Sequence, residues 1–412
     1  MKQQLTILCP TYWYPDSPTD MRAIYVHDIT RHLVERGHRV CVIAPAAKDV
    51  PLRANMDGVE IRRFPLLLPD DLAYGKVAQS KVGFADKLVR LQVMGRYLWR
   101  QYRAVLEAAR EFVPDVVHGH WAIPTGPALV KAAQKLHVPS VITMHGGDVY
   151  VNKAEGYDFP TRWYVKPILR RTLTQASALT AISDDCIQHA LRAGASLDKI
   201  HLIMNGADLR RFSPDTGPDA ASRPYGPKMV FACRQLFPRK GIRFLIQAVA
   251  QLRPKHPEIK LMIAGDGFER PELEALAETL KIRDITTFLG WTANRDLVPY
   301  FRKCAVSVIP SLEEGFGIPA AEAMGCEAPV VATDAGGLPE VVEDGVTGFV
   351  VPKGDANAIA TAVDTLLSDP ALRDRMGKAG RERAVARFDW MNAARDFEQL
   401  YRNLIAAQGT SR

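Results

Sequence analysis

Val306-Ser307-Val308-Ile309-Pro310-Ser311-Leu312-Glu313-Glu314-Gly315-Phe316-Gly317-Ile318-Pro319-Ala320-Ala321-Glu322-Ala323-Met324 is the stretch on which the reading of this chain turns. Three β-branched residues in a run of four predict a short buried strand, and Pro310 closes it. Pro319 is well placed as the first residue of a helix. Glu314 therefore sits in the connecting loop, and Glu322 in or near the helix's first turn. Gly315 and Gly317 permit a sharp chain path between them. An acidic residue in a first turn is favoured by the helix dipole alone, which accounts for Glu322. It accounts for neither Glu314 nor the two glycines. Two carboxylates aimed at one ligand suit the paired hydroxyls of a sugar or a ribose.

Outward from this stretch the same strand-loop-helix unit recurs. Apolar runs lie at Met229–Ala232, Leu261–Ala264, Thr287–Leu289 and Val330–Ala332, and earlier at Leu5–Cys9, Val40–Ala44, Val116–His118, Val141–Thr143 and Leu179–Ile182. Short apolar runs alternating with amphipathic stretches predict an α/β protein with parallel sheets. The segment from Ser213 to Pro227 holds four prolines and is the best linker. The 412 residues are too many for one core and enough for two. The expected plan is a first domain over 1–212, a linker over 213–227 and a second domain over 228–389, facing across a cleft. In such sheets ligands bind beyond the carboxyl ends of strands.

Those ends carry the candidate chemistry. Arg234, Arg239 and Lys240 precede a helix opening at Ile242, a combination suited to a diphosphate, although a merely basic surface loop reads the same way. Gly265-Asp266-Gly267 allows close backbone approach, and Thr333-Asp334-Ala335-Gly336-Gly337 offers a similar turn. In the first half His118-Gly119-His120-Trp121 and Thr143-Met144-His145-Gly146-Gly147-Asp148 end two strands. His118, His120, His145 and Asp148 could ligate a metal, but no metal is expected there.

Taken together these motifs resemble the retaining glycosyltransferases of family 4, which have the GT-B fold of two Rossmann-like domains. The resemblance rests on Glu314-x7-Glu322, Arg234-x5-Lys240-Gly241, Asn205-Gly206-Ala207-Asp208 with Phe212 and Pro214, and Asp344-Gly345-x-x-Gly348-Phe349. It implies a hexose moved from a UDP- or GDP-linked donor to a glycan or lipid-linked acceptor, with an α-glycosidic product, no metal and no cofactor beyond the donor. It implies that Arg234 and Lys240 hold the diphosphate, that Glu322 holds the ribose, and that Glu314 with the amides of Phe316, Gly317 and Ile318 meets the sugar. Gly265 and Trp291 would line the nucleotide site. His120 would lie closest to the reacting centre, with His145, Asp148, Arg22 and Asn205 on the acceptor side. A terminal helix from about residue 390 to 412 would cross back onto the first domain. No side chain presents itself as a nucleophile, so a front-face displacement is expected, in which the departing phosphate takes the acceptor proton. A synthase of a small soluble glycoside would use the same donor site. A nucleotide-sugar epimerase would need its carboxylates and histidines arranged differently.

One departure stands out. Many relatives carry paired glycines after the first strand, whereas here the loop reads Tyr12-Trp13-Tyr14-Pro15-Asp16-Ser17-Pro18-Thr19-Asp20-Met21-Arg22. Arg22 or the aromatic trio would take over part of the glycines' work, or the aromatics pack as core.

Composition narrows the setting. The net charge of +7 lies in the first half, where residues 1–210 hold 27 Lys+Arg against 20 Asp+Glu. Such a balance fits an anionic partner or a solvated basic face. A nucleic-acid binder would need base-stacking aromatics on a basic stripe, and the donor motif argues against it. Residues 81–110 hold seven Lys+Arg and two Asp+Glu around an apolar stripe. They read either as an interfacial helix on an anionic membrane or as a surface helix packed on its own domain. Six scattered cysteines, the lack of a leader-like start and the absence of any long apolar run lead us to expect a cytoplasmic protein, peripheral at most on the inner membrane face.

Overall fold

The computed structural model describes residues 3–17, 20, 22–46, 49–65, 84–150, 163–215, 217 and 228–410, with backbone alone at 84–91 and 410. Pro18, Thr19 and Met21 of the glycine-free loop, residues 81–83, and linker residues 216 and 218–227 lie outside the described residues, as do the side chains of Lys87 and Arg90. The chain divides into two compact units, Met1–Met204 with Ala393–Arg412, and Asn205–Asn392.

The first unit is built on an eight-stranded sheet: β1 (Thr6–Pro10), β2 (Arg39–Ala46), β3 (Arg53–Met56), β4 (Val59–Pro65), β5 (Val116–His120), β6 (Ser140–Met144), β7 (Ala178–Ala181) and β8 (Ile200–Leu202). Their order is β3-β4-β2-β1-β5-β6-β7-β8, and only the β3–β4 pair is antiparallel. Strand β1 is wholly buried, as expected for a parallel strand covered on both faces. It pairs with β2 on one side and β5 on the other, so the strand order reverses there. That reversal opens a ligand crevice at the carboxyl ends of β1 and β5.

The helix Phe84–Phe112 buries Tyr97, Gln101, Val105, Ala108 and Phe112 in this unit. Trp99 stays outside at 60% exposure, with the Arg103 guanidinium 5.6 Å from its ring centre. Its described part is thus a surface helix packed on its own domain. The helix Trp390–Thr410 returns the chain to the first unit from Ala393 onward. Glu398 on it meets Arg36 at 2.6 Å and His38 at 3.3 Å, and Tyr401 places its hydroxyl 2.6 Å from His118 Nδ1.

The second unit holds β9 (Met229–Cys233), β10 (Lys260–Ala264), β11 (Thr286–Gly290), β12 (Val306–Ile309), β13 (Val330–Thr333) and β14 (Gly348–Val351). The order is β11-β10-β9-β12-β13-β14, and every pairing is parallel. Here β9 is the switch strand, flanked by β10 and β12. Helices Ile242–Leu252 and Ala356–Ser368 supply Leu245, Ile246, Val249, Ile359, Val363 and Leu366 to a core shared with the strands.

The unit boundary differs from the expected one at 212. Residues 205–212 belong to the second unit because their backbone is captured there. The Ala207 amide donates to Phe388 O at 2.7 Å, and Phe212 packs edge-on against Phe301. The Arg381 guanidinium donates to the carbonyls of Leu209, Phe212 and Gly325 at 3.1 to 3.3 Å. Prolines mark where a chain turns, while unit membership follows contacts. Asn205, expected on the acceptor side, is accordingly a buried residue of the second unit.

Candidate functional site

In the second unit the chain leaves β9 directly into Arg234, whose amide donates to Ala264 O at 2.9 Å. Gly265 stands opposite at φ +125°, and a Cβ there would fall 1.8 Å from Arg234 O. Only glycine lets the two strand ends meet this closely. Lys240 closes the short turn Pro238–Lys240 just before the helix Ile242–Leu252. Arg234 and Lys240 are both buried, at 6% and 8% exposure.

Between these cations lies Glu314. Its Oε2 is 2.9 Å from Lys240 Nζ and 3.1 Å from Arg234 Nη2, and the Ser311 hydroxyl donates to it at 3.1 Å. Burial alone would raise the carboxyl's pKa, yet Arg234, Lys240 and Arg239 outweigh it and hold it down at about 2. Lys240 shows the other side of the balance. Burial lowers its ammonium to about 8, Arg234 and Arg239 push the same way, and Glu314 recovers only part of the loss. One carboxylate facing the two buried cations Arg234 and Lys240 leaves a net positive charge at these three groups. The Arg234 Nε donor is buried there without an acceptor in the protein. An unmade bond of this kind costs free energy unless a ligand completes it.

The loop past Glu314 is fixed from below. Phe316 is buried against Phe388, so its side chain is core and only its backbone is free to serve a ligand. Gly317 takes φ +105° at the start of the helix Ile318–Gly325, where a Cβ would lie 2.5 Å from Leu338 Cδ2. The Gly337 amide donates to Glu314 O at 3.1 Å and ties in the loop after β13. Glu322 is buried on that helix. Burial drives the Cys233 thiol up to about 12 and the Glu322 charge adds to the push, which sets Glu322 beside the end of β9. Gly265 bridges Gly290, and Trp291 follows at 60% exposure, a free ring at the end of β11.

The first unit gathers the histidines. His118 is sealed, with Nε2 2.7 Å from the Thr143 hydroxyl and Nδ1 on Tyr401. It pins the returning helix. His120 Nδ1 lies 2.8 Å from His145 Nε2, and the outer nitrogens, His120 Nε2 and His145 Nδ1, are buried with no partner in the protein. Burial pushes both imidazoles far below their usual range, His145 to about 3. Each is therefore neutral and carries one proton. Whichever ring donates across the 2.8 Å contact, the two outer nitrogens present one donor and one acceptor. A pair of that kind matches a hydroxyl group.

Two acceptor-side candidates already have partners within the protein. Asp148 is committed to its own loop: Oδ2 accepts from the Ala122 amide at 2.7 Å and Oδ1 from the His145 amide at 3.2 Å. It orients the histidine loop, the first of the two roles open to it, and burial raises it to about 6 despite those bonds. The Arg22 guanidinium is engaged by Asp16 and Asp20. Trp121, quoted above only as part of a motif, is held at φ +69°, a conformation that a bulky side chain adopts only under constraint from its surroundings. Ser311 was given no role in the sequence reading, although a hydroxyl two residues past a strand end is the signal for it. Among the described residues, no group of three or more His, Cys, Asp or Glu is arranged to hold a metal ion, and no helix is long and apolar enough to cross a membrane.

Comparison with known proteins extends this geometry. Residues 23–211 match the model of Glycosyltransferase Family 4, and residues 218–383 that of Glycosyl transferases group 1. The chain is 31% identical over 408 residues to the D-inositol 3-phosphate glycosyltransferase of Xylanimonas cellulosilytica, covering 94% of this chain and 92% of the relative. Among solved structures, it is similar to sucrose-phosphate synthase from Thermosynechococcus elongatus, with a TM-score of 0.77 at 24% identity over 98% of this chain and 100% of that one. It is also similar to HepE of Anabaena in complex with UDP, with a TM-score of 0.72 at 22% identity over 97% and 100%. With its two parallel-sheet units, the chain belongs to the family 4-type glycosyltransferases of GT-B fold.

Proposed function

We propose that this glycosyltransferase moves a hexose from a nucleotide diphosphate sugar to a glycan or lipid-linked acceptor, with retention at the anomeric carbon and without a metal. The observation that carries the reading is the pair of buried cations, Arg234 and Lys240, set against the single carboxylate of Glu314. A diphosphate neutralises that excess, and fixed cations then stabilise the charge that develops as it leaves. The bond from the anomeric carbon to the phosphate oxygen breaks, the bond to the acceptor oxygen forms on the same face, and the acceptor proton passes to the departing phosphate. Glu322 takes the ribose hydroxyls and Trp291 the base. The neutral His120–His145 pair serves the acceptor hydroxyl. HepE was solved with UDP, which favours a UDP-linked donor over a GDP-linked one.

When the acceptor is lipid-linked, the exposed Arg96, Trp99, Arg103 and Arg110 form the face offered to an anionic membrane on the cytoplasmic side. A second reading, a small soluble acceptor, is favoured by the names of two similar proteins, a D-inositol 3-phosphate glycosyltransferase and a sucrose-phosphate synthase.

The donor reading is tested by thermal shift against UDP-, GDP- and ADP-sugars, since a ligand bound only by the folded state raises stability by mass action. A rise with UDP-sugars in the wild type and none in Lys240→Ala is expected. An equal rise in the variant would remove the diphosphate from this site.

A further inference from the structure

The loop after β1 and the ends of β5 and β6 build a continuous wall of rings. Tyr12 packs against Tyr97 at 5.3 Å and Trp13 at 5.5 Å, and Trp13 meets Trp121 edge-on at 5.8 Å. Trp121 in turn lies 5.2 Å from His145 and 6.1 Å from Tyr25, and Tyr25 lies 4.7 Å from His145. Tyr12, Trp13, Tyr25 and His145 are only half-buried, so the wall is not sealed core. Three polar ring atoms within it are buried without a partner in the protein: Trp13 Nε1, His120 Nε2 and His145 Nδ1. Ring faces with a few unsatisfied hydrogen-bonding atoms suit a flat, hydroxyl-bearing, largely apolar face.

The charges at this wall are already matched. Arg22 is held by Asp16 and Asp20, and Arg63 by Asp16 at 3.4 Å and by the Pro15 carbonyl at 2.6 Å. Among the described residues, these two guanidiniums against two carboxylates leave no net charge, and the histidines are neutral. A phosphate monoester carries about two negative charges near neutral pH and would have to break these pairs to be held.

We propose that the wall from Tyr12 to His145 is an acceptor subsite for an uncharged pyranose ring, stacked on the half-buried Trp13, which the buried Trp121 supports from behind, with a hydroxyl on the His120–His145 pair, and not for a phosphorylated sugar or polyol. The inference rests on the glycosyl-transfer reading above and narrows its acceptor to a neutral sugar ring. It sets this chain apart from proteins whose names specify a phosphorylated substrate or product.

Saturation-transfer NMR on the full chain tests it without donor, using methyl α-D-glucoside, methyl α-D-mannoside and the 6-phosphate of each. The neutral glycosides are expected to receive saturation on their ring protons. Trp13→Ala is expected to weaken that binding about ten-fold, the size of one lost stacking contact. Trp13→Phe, which keeps a ring face and cannot be excused as misfolded, should lose no more than about three-fold. Stronger binding of the 6-phosphates, or equal binding of neutral glycosides by Trp13→Ala and wild type, overturns the proposal. So does the absence of saturation on every neutral glycoside. The thermal shift with UDP-sugar is run on the same samples. A donor response with no glycoside response sinks the subsite alone, whereas a glycoside response with no donor response sinks the donor reading.

Discussion

Raising the pH from 7 to 9 should weaken binding of a UDP-sugar about ten-fold, through Lys240. In the free protein burial holds this ammonium at about 8, with Arg234 and Arg239 repelling it and Glu314 opposing them. A bound diphosphate supplies the missing negative charge and returns the amine toward its ordinary value, near 10.4. Below pH 8 the free protein is already charged and binding takes up no proton. Above it each pH unit costs close to a factor of ten, or about 1.4 kcal/mol, until the bound form also titrates. The effect on folding has the opposite sign. Between about 8 and the ordinary lysine value the unfolded chain binds more protons at this residue than the folded one. Stability from Lys240 therefore rises through that window while donor affinity falls. Alkaline unfolding thus cannot imitate the result. Calorimetric titration between pH 7 and 9, in two buffers of different ionisation enthalpy, reads both affinity and proton uptake, about half a proton near pH 8. Lys240→Arg keeps the charge and should lose the slope, carrying only the titration of the ligand. A wild-type affinity constant within two-fold across the range, or an equal slope in Lys240→Arg, would refute the reasoning.

Three further outcomes follow from particular contacts. Glu322→Ala should cut kcat/KM by on the order of a hundred-fold, about 3 kcal/mol of charged hydrogen bonds, with an unchanged melting temperature; wild-type turnover contradicts the ribose role. Gly317→Ala sets a methyl group 2.5 Å from Leu338 Cδ2 at φ +105° and should cost about 1–3 kcal/mol of stability in calorimetry. An unaltered melting temperature would show that the loop relaxes freely. Tyr401→Phe strands His118 Nδ1 and should cost about 1–3 kcal/mol, seen as faster amide exchange in 393–409 with no change across 228–390. Equal acceleration in both stretches would deny the unit assignment.

The parallel sheets were legible because buried strands betray themselves as short apolar runs, and candidates such as Arg234, His120 and His145 lie one or two residues past such a run. Arg234, Lys240, Glu314 and Glu322 were named by joining their places after strands to the family resemblance. What spacing could not show is how they are wired: that a single oxygen of Glu314 takes two cations and Ser311, or that the excess charge is cationic. The β3–β4 hairpin went unremarked, although Asp57-Gly58 between alternating residues is a strong turn signal. The partners of Asp148 could not be named because they are backbone amides, which leave no trace in side-chain chemistry. The partner of His118, Tyr401, could not be foreseen because it lies 283 residues away. The boundary was misplaced because carbonyls captured by Arg381 outweigh the prolines that follow them.

The return of Ala393–Arg412 to the first unit also dictates an order of assembly. Synthesis is vectorial, and domains generally fold as they emerge. Residues 205–392 contain all of the second unit and can close as soon as they clear the ribosome. The first unit, although made earlier, waits for the last stretch of chain. Until then His118 lacks Tyr401, and Arg36 and His38 lack Glu398. The half that is translated first is thus the half completed last, and a stalled or clipped nascent chain would carry a finished second unit on an open first unit.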